Sequence, residues 1–445
     1  MKLKTFLGGI HPPSNKNLSA GKKIEEPPLP KTVCIPLAQH IGAPCEARVE
    51  KGQKVKKGEV IADSQAFVSA PIHASISGTV TAVQDYPHPS GKKVKAIIIE
   101  SDEKDEWFRE PKNGQDPLQL SSEELKKKIR EAGIVGLGGA AFPTHVKLSP
   151  PKEKNIDAII LNGVECEPYL TADHQLMLEK TEAIVKGLQI ILRIMGVQKG
   201  YIGIEVNKPD ALEAMKKATK GLSNIEVVGL KVKYPQGAEK QLIKAILGRE
   251  VPPPPGLPKD VGAVIQNVGT AYAIYEAVTF GKPLIERIVT VTGRGIKEPK
   301  NLRLRIGTLF SEIINYCGGI QGEAGKVLMG GPMMGLAQYT AQVPIIKGTS
   351  GILVLSKKEL PSGESEHCIN CGMCVRACPM HLIPSSLGTY CEKDLFEEAE
   401  AAHIFNCIEC GSCVYVCPAN RHLVQMVKYG KSAVLAAKKQ QQQKK

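Results

Sequence analysis

Two cysteine runs near the C-terminal end constrain this chain more than any other feature. Cys368, Cys371, Cys374 and Cys378 are followed by Pro379, and Cys407, Cys410, Cys413 and Cys417 by Pro418, so the spacing CxxCxxCxxxCP occurs twice. That is the bacterial ligand pattern for a pair of [4Fe-4S] clusters. A three-residue period lets one turning loop offer three thiolates to three irons of a cube, while the fourth cysteine, past its proline turn, reaches the other cube. The expected ligand sets are Cys368, Cys371, Cys374 with Cys417, and Cys407, Cys410, Cys413 with Cys378. Four-cysteine zinc sites use two separated pairs, a different pattern. Gly372 and Gly411 give each loop the backbone freedom that a tight turn around an inorganic cube requires.

Eight of the 13 cysteines lie in these runs, which reads as metal ligation in a reducing compartment and not as a disulfide scaffold. With both quartets complete, Cys391 is read as structural, and the scattered Cys34, Cys45, Cys166 and Cys317 as small buried hydrophobes. His11, His40, His145 and His174 receive the same plain structural reading. No run approaches the roughly twenty uncharged apolar residues of a membrane-spanning helix. The N-terminus lacks an apolar secretory core, so a cytoplasmic location is expected. The net charge of +13 is spread over dispersed lysines without interleaved aromatics. That speaks against nucleic acid and for an acidic redox partner or a membrane surface.

At 445 residues the chain is too long for one core and should divide into several domains. Residues 1–30, closing on Pro27, Pro28, Leu29 and Pro30, read as an extended arm that covers another domain. Short β-type runs punctuated by Gly and Pro follow, at Thr32 to Leu37, Val60 to Ile61, Gly78 to Val83 and Val94 to Ile99, and predict a small all-β module over 31–105. Strand and helix then alternate: helix Leu125 to Ala132, strand Ala158 to Leu161, helix Gln175 to Ile194, strand Tyr201 to Val206, helix Asp210 to Lys217. Such alternation predicts a layered α/β domain with a largely parallel sheet, running over about 115–282. A strand at Arg287 to Gly293, a helix at Thr308 to Tyr316 and a strand at Lys326 to Met329 predict a β-plus-helix module over 285–345. The cysteine segment is placed at 358–430, and a basic tail at 431–445.

Within the first module, VEKGQKVKKGEVIA followed by SAPIHASISGTVTAV resembles the barrel-sandwich fold of biotinyl and lipoyl carrier domains. The run Ala62 to Ala70 has no lysine, so covalent lipoylation or biotinylation is not expected there. The stretch GIVGLGGAAFPTHVKL, Gly133 to Leu148, packs glycines ahead of a lysine, and its amides would let a phosphate or a flat ring approach closely. It has neither the GxGxxG nor the Walker spacing, and composition alone favours a simple turn device over a ligand cradle.

Resemblance goes further. GLGGAAFPTHVKL looks like the flavin loop of the NADH-binding flavoprotein subunit of respiratory complex I, and NGVECEPYLTADH, YPQGAEKQLI and QNVGTAYAIYEAV resemble further segments of that family in its order. FLGGIHPP at the start, the barrel-sandwich module, the β-grasp segment VTGRGIKEPKNLRLRIGTLFSEIINYCGGI and the twin cysteine runs complete a larger pattern. From end to end the chain resembles the RnfC family, the peripheral, FMN-holding members of Rnf ion-translocating ferredoxin:NAD oxidoreductase complexes.

The resemblance implies a multidomain α/β plus β chain: a barrel-sandwich hybrid, an α/β flavin- and NADH-binding domain, a soluble-ligand-binding β-grasp domain and a C-terminal two-cluster ferredoxin-like helical domain. It implies non-covalent FMN, NAD(H) and two [4Fe-4S] clusters. It further implies partnership with integral-membrane and iron–sulfur subunits, with ferredoxin indirectly, and a peripheral place on the cytoplasmic face of a bacterial membrane. Hydride transfer moves two electrons and a cluster takes one, so FMN would stand between them.

Carried over by motif, Gly136, Gly138, Gly139, Ala140 and Lys147 match the FMN loop, and Asn162, Asn267 and Thr270 match positions contacting flavin or its phosphate. Glu165, Glu167, Tyr234, Gly237 and Glu239 match positions lining the flavin and nucleotide pocket, with Glu167 the expected catalytic-site carboxylate. Leu137, Val164 and Ala238 depart from the complex I pattern, where Arg, Asp and Glu stand. Two alternatives share these motifs: a soluble flavin and iron–sulfur corrinoid reductase, and a non-catalytic electron relay.

Overall fold

The structure is a computed structural model that describes residues 3–112, 114, 116–151, 153–360 and 363–443. It divides into two compact units, one formed by 1–13, 230–261 and 361–445, the other by 14–229 and 262–360.

In the larger unit, the all-β module folds as two small sheets. One has the order Thr32–Pro36, Lys93–Ser101, Gly78–Pro87, Lys54–Val55, and the other Glu46–Ala47, Val60–Asp63, Ile72–His73. Val33, Ile35, Ile61, Ile72, Ile97 and Ile99 share one buried cluster. These β-branched residues suit a pleated surface covered on one face.

The α/β layer carries a four-stranded sheet in the order Ile225–Leu230, Lys199–Glu205, Ala158–Asn162, Ala263–Asn267. The last three strands are parallel, with Asn267 opposite Asn162 and Gly203 opposite Asn162 on the other side. Apolar runs such as AIIL and AVI are what a sheet buried on both faces demands. The helix Ser122–Glu131 opens on a Ser121/Glu124 capping box.

Sequence pattern predicts one helix over Gln175 to Ile194, and the structure has two, Ala172–Glu179 and Thr181–Met195. Lys180 leaves the helical region at φ −129, ψ 31, and Thr181 Oγ1 turns back onto the Met177 and Leu178 carbonyls. A hydroxyl that offers the backbone an alternative bond is a known helix disruptor. The second helix packs on Val268–Phe280 at Gly187, where a Cβ would lie 2.0 Å from the Ala271 carbonyl oxygen. Only glycine permits that approach.

The third sheet has the order Ile24–Glu25, Lys300–Arg305, Glu286–Thr292, Gly351–Ser356, Ala324–Met329, Leu336–Ala337, with the helix Phe310–Tyr316 beside it. Its first strand belongs to the expected arm: Ile24 and Glu25 pair in parallel with Asn301 and Leu302. The arm therefore contributes backbone hydrogen bonds to a sheet and does not merely lie over one.

Among the described residues of the smaller unit, the cysteine segment carries the helices Met373–Ala377, Pro384–Glu392, Phe396–Ala401, Ser412–Tyr415 and Leu423–Gln443. Another, Glu239–Leu247, belongs to the same unit. Cys391 is fully buried with Leu387, Ile404 and Val427. No described helix is long and apolar enough to cross a membrane.

Candidate functional site

The cysteine loops repeat each other in backbone as well as in sequence. Asn370 and Glu409, each one residue before a second cysteine, have φ of 55 and 57, and Gly372 and Gly411 follow at φ 68 and 80. Each glycine is the residue at which a short helix starts, Met373–Ala377 and Ser412–Tyr415. Asn370 N donates to Cys368 Sγ at 3.4 Å, and Glu409 N donates to Cys407 Sγ at the same distance. These matched N–H···S contacts are the kind that tune a cluster's charge.

The runs then exchange their last members. One cavity of about 100 Å³ is lined by Cys368, Cys371, Cys374 and Cys417. A second, of about 20 Å³, is lined by Cys378, Cys407, Cys410 and Cys413. Among the described residues no three His, Cys, Asp or Glu side chains converge as they would on a single ion. Cys368 and Cys371 are exposed, whereas Cys378 and Cys410 are buried. Burial pushes the Cys407 thiol up to about 11, offset in part by the Glu409 N–H, and raises Cys413 further. Bound iron would reverse that preference, since a cation favours the thiolate. Donor set, loop shape and the lining of each cavity by one exchanged quartet fit two [4Fe-4S] clusters.

Tyr234, Gly237 and Glu239 belong to this same unit. Tyr234, 2% exposed, donates its hydroxyl to the Cys410 carbonyl at 2.8 Å. Gly237 and Glu239 are half-buried, and Glu239 opens the helix Glu239–Leu247.

The second site lies in the larger unit, at the C-terminal edge of the parallel sheet. Connections leave the strand Ala158–Asn162 toward Lys199–Glu205 on one side, and Ala263–Asn267 pairs on the other, so Asn162 and Asn267 stand where the strand order reverses. Open α/β sheets bind ligands at such a point. Asn267 caps the helix Val268–Phe280 through Gly269 N at 2.8 Å and donates from Nδ2 to Asp173 at 2.7 Å. Asn162 Oδ1 accepts from Val164 N at 3.1 Å.

The glycine loop is pinned at both ends and open at its tip. Gly136 N donates to Phe142 O at 2.8 Å, and Leu137 N donates to the buried Thr270 hydroxyl at 2.9 Å. The Leu137 carbonyl accepts from Arg287 Nη2 at 3.1 Å. Between these anchors Gly138, Gly139 and Ala140 are exposed. Gly139 has φ +102 and no heavy atom within 4 Å of where a Cβ would stand. Lys147 closes the short helix Thr144–Lys147 downstream. A shelf of small residues over a sheet switch point, beside the N-terminus of a 13-residue helix, fits a flat ring carrying a phosphate.

Sequence reasoning missed Asp173 and Arg287. Burial and the Glu165 charge raise the Asp173 carboxyl to about 7, with Asn267 and Arg287 opposing. Burial lowers Arg287 to about 10, against the pull of Asp173. The clue was present in sequence only as the TADH segment, whose aspartate carries no local sign of burial.

The two glutamates have structural partners. Glu165 accepts from Asp173 N at 2.8 Å and His174 N at 3.2 Å, capping the helix Ala172–Glu179 in place of Thr171. Glu167 accepts from Met333 N at 3.1 Å and Met334 N at 2.9 Å. Beneath the loop, the buried Lys208 donates to Val164 O at 2.7 Å.

Four family models match successive parts of the chain. The Nuo51 FMN-binding domain matches residues 129–276, the RnfC barrel sandwich hybrid domain 4–104, the SLBB domain 288–337, and the 4Fe-4S dicluster domain 360–418. Among solved structures, a chain of an NAD+-reducing [NiFe]-hydrogenase in the H2-reduced state is similar at 19% identity and a TM-score of 0.49, over 71% of this chain and 63% of its own. Among curated proteins, the subunit designated C in the proton-translocating ferredoxin:NAD(+) oxidoreductase complex of Clostridium ljungdahlii is 55% identical over 98% of this chain and 95% of its own. Its counterpart in the Na(+)-translocating complex of Acetobacterium woodii is 47% identical over 99% of both chains. An FMN-binding domain and a 4Fe-4S dicluster domain thus share one chain, and the chain belongs to the RnfC family of the ion-translocating ferredoxin:NAD(+) oxidoreductase complexes.

Proposed function

We propose that this chain is the peripheral subunit of an ion-translocating ferredoxin:NAD oxidoreductase that exchanges electron pairs with NAD(H) and single electrons with its partner subunits, on the cytoplasmic face of the membrane. The observation that carries the reading is the presence, in one chain, of two exchanged cysteine quartets and an open glycine shelf at a sheet switch point. FMN, when bound, supplies the conversion between two-electron and one-electron transfer.

The chain's own residues would hold, orient and tune. Gly138, Gly139 and Ala140 offer backbone amides with no side chain larger than a methyl in the way, Gly136 anchors the loop through Phe142 O, and the N-terminus of Val268–Phe280 favours a phosphate. Asn162, Asn267 and Thr270 fix the strand ends and the loop, and Lys147 adds a cation nearby in sequence. Glu165 and Glu167 spend their carboxylates on backbone N–H groups, which supports a role in shaping the pocket wall over one in proton transfer. The eight cysteines of the two runs are the proposed cluster ligands. Partner subunits follow from the family, and ferredoxin would be met through them.

The test is anaerobic purification, assay of bound flavin and iron, and addition of NADH with flavin absorbance followed. About eight irons and one FMN per chain, with bleaching by NADH, are expected. Clusters without flavin would instead leave a relay, and NADH-driven corrinoid reduction without partner subunits would leave a corrinoid reductase.

A further inference from the structure

The loop 164–170 carries both glutamates, and its backbone is bent in an unusual way. Glu165 and Tyr169 have φ of 44 and 69, in the left-handed region that side-chain-bearing residues seldom adopt. Those bends turn the carbonyls of Glu165, Glu167 and Leu170 toward one point. Three convergent carbonyl dipoles repel one another unless a cation sits among them.

The cation is Lys16. Its ammonium donates to Glu165 O and Glu167 O at 2.9 Å each and to Leu170 O. All three of its N–H donors are thereby used, on three carbonyls of one loop. Lys16 comes from the N-terminal arm, about 150 residues earlier in the chain, and the arm is fastened to the same region on both sides of it. Tyr169 N donates to Ser14 O at 2.7 Å. The Ser19 and Thr171 hydroxyls are 2.7 Å apart, and Asn301 Nδ2 reaches Ser19 O at 3.2 Å.

We propose that Lys16 is a positioning residue of the flavin site, its ammonium filling a carbonyl cage as an alkali cation would and holding the loop that presents Glu165 and Glu167. The role rests on the proposed function above. It gives residues 14–30 of the arm a task in the larger unit: strand pairing at Ile24 and the Asn301 network bring a cation to the point where the three carbonyls converge. Lys208, beneath Val164, holds the start of the loop through a different carbonyl.

Lys16→Ala should empty the cage and free its three carbonyls to move apart. In the full chain with its clusters, amide hydrogen exchange over 163–171 should accelerate, and the FMN dissociation constant, read by flavin fluorescence, should rise roughly tenfold or more. Added ammonium chloride should restore both, where choline chloride at equal concentration does not, because only a small cation fits. Lys16→Arg, too wide for a three-carbonyl cage, should be impaired yet folded, with iron content unchanged.

Unaltered exchange and unaltered FMN affinity in Lys16→Ala would overturn the proposal, as would losses that ammonium leaves untouched. If the wild-type chain binds no FMN, the functional reading fails, and the cage is still decided by exchange and its ammonium dependence alone.

Discussion

Asn267 ties the end of its strand to Asp173, its Nδ2 donating to Asp173 Oδ2 at 2.7 Å while its Oδ1 caps the next helix at Gly269 N. One amide thereby serves a helix terminus and a carboxyl raised by burial, at the point where the sheet reverses its strand order.

That carboxyl sets a pH dependence. Burial, and after it the Glu165 charge, raises the Asp173 carboxyl from 3.8 to about 7 in the folded chain, with Asn267, Arg287 and Lys16 opposing. Between those values the unfolded chain has lost a proton that the folded chain keeps, so the stability contributed by the neutral form falls as pH rises and levels off above 7. Asp173→Asn removes the titration and keeps an acceptor for Asn267. Its melting temperature should match the wild type below pH 3.8, exceed it increasingly as pH rises to about 7, and keep a level excess beyond. A difference independent of pH would contradict the assignment.

Gly331 makes room for Glu167. A Cβ at Gly331 would lie 2.2 Å from Glu167 Oε2, so Gly331→Ala should cost about 1–3 kcal/mol by displacing the carboxylate from the Met333 and Met334 amides. Combined with Glu167→Ala, the two losses should be less than additive by at least about 0.5 kcal/mol. Strict additivity in denaturation would separate the two residues.

The glycine shelf can be tested at Gly138, where φ is ordinary and an added Cβ meets Asn267 Cβ at a comfortable 3.5 Å. Gly138→Val should change stability by no more than about 0.5 kcal/mol. FMN affinity should nevertheless drop roughly tenfold or more, since the new side chain stands on the open face. Titration giving wild-type affinity would place the flavin elsewhere.

Ligand exchange between the runs predicts which cysteine variants look alike. Cys417→Ser and Cys368→Ser line the same cavity and should leave the same surviving cluster signal, while Cys378→Ser should resemble Cys407→Ser. Low-temperature electron paramagnetic resonance with iron analysis separates the pairs. Cys417→Ser grouping with Cys407→Ser would mean that each run binds its own cluster.

Much of the architecture is legible in local pattern. The strands Ala158–Asn162 and Ala263–Asn267 are apolar runs bounded by polar residues, and the helices around them follow a 3.6-residue period. The break at Lys180 is not legible, because the apolar period continues across it and the Thr181 hydroxyl is a disruptor only when it faces the preceding turn. The arm's strand at Ile24 is invisible for a similar reason: two residues carry no period, and their partners, Asn301 and Leu302, lie far along the chain.

What the amino-acid order determined by itself is the chemistry: cysteines every third residue, a run of glycines, and apolar periods that make sheets and helices, all of them information held within a few neighbouring residues. Tertiary structure alone decided which groups meet. Glu167 reads as a site carboxylate only through the family resemblance, and two amides 166 and 167 residues away hold it. Lys16 reads as one lysine among many, yet it closes a cage of carbonyls. A side chain's role depends on the donors, acceptors and dielectric that distant segments bring to it, and those exist only once the chain has folded.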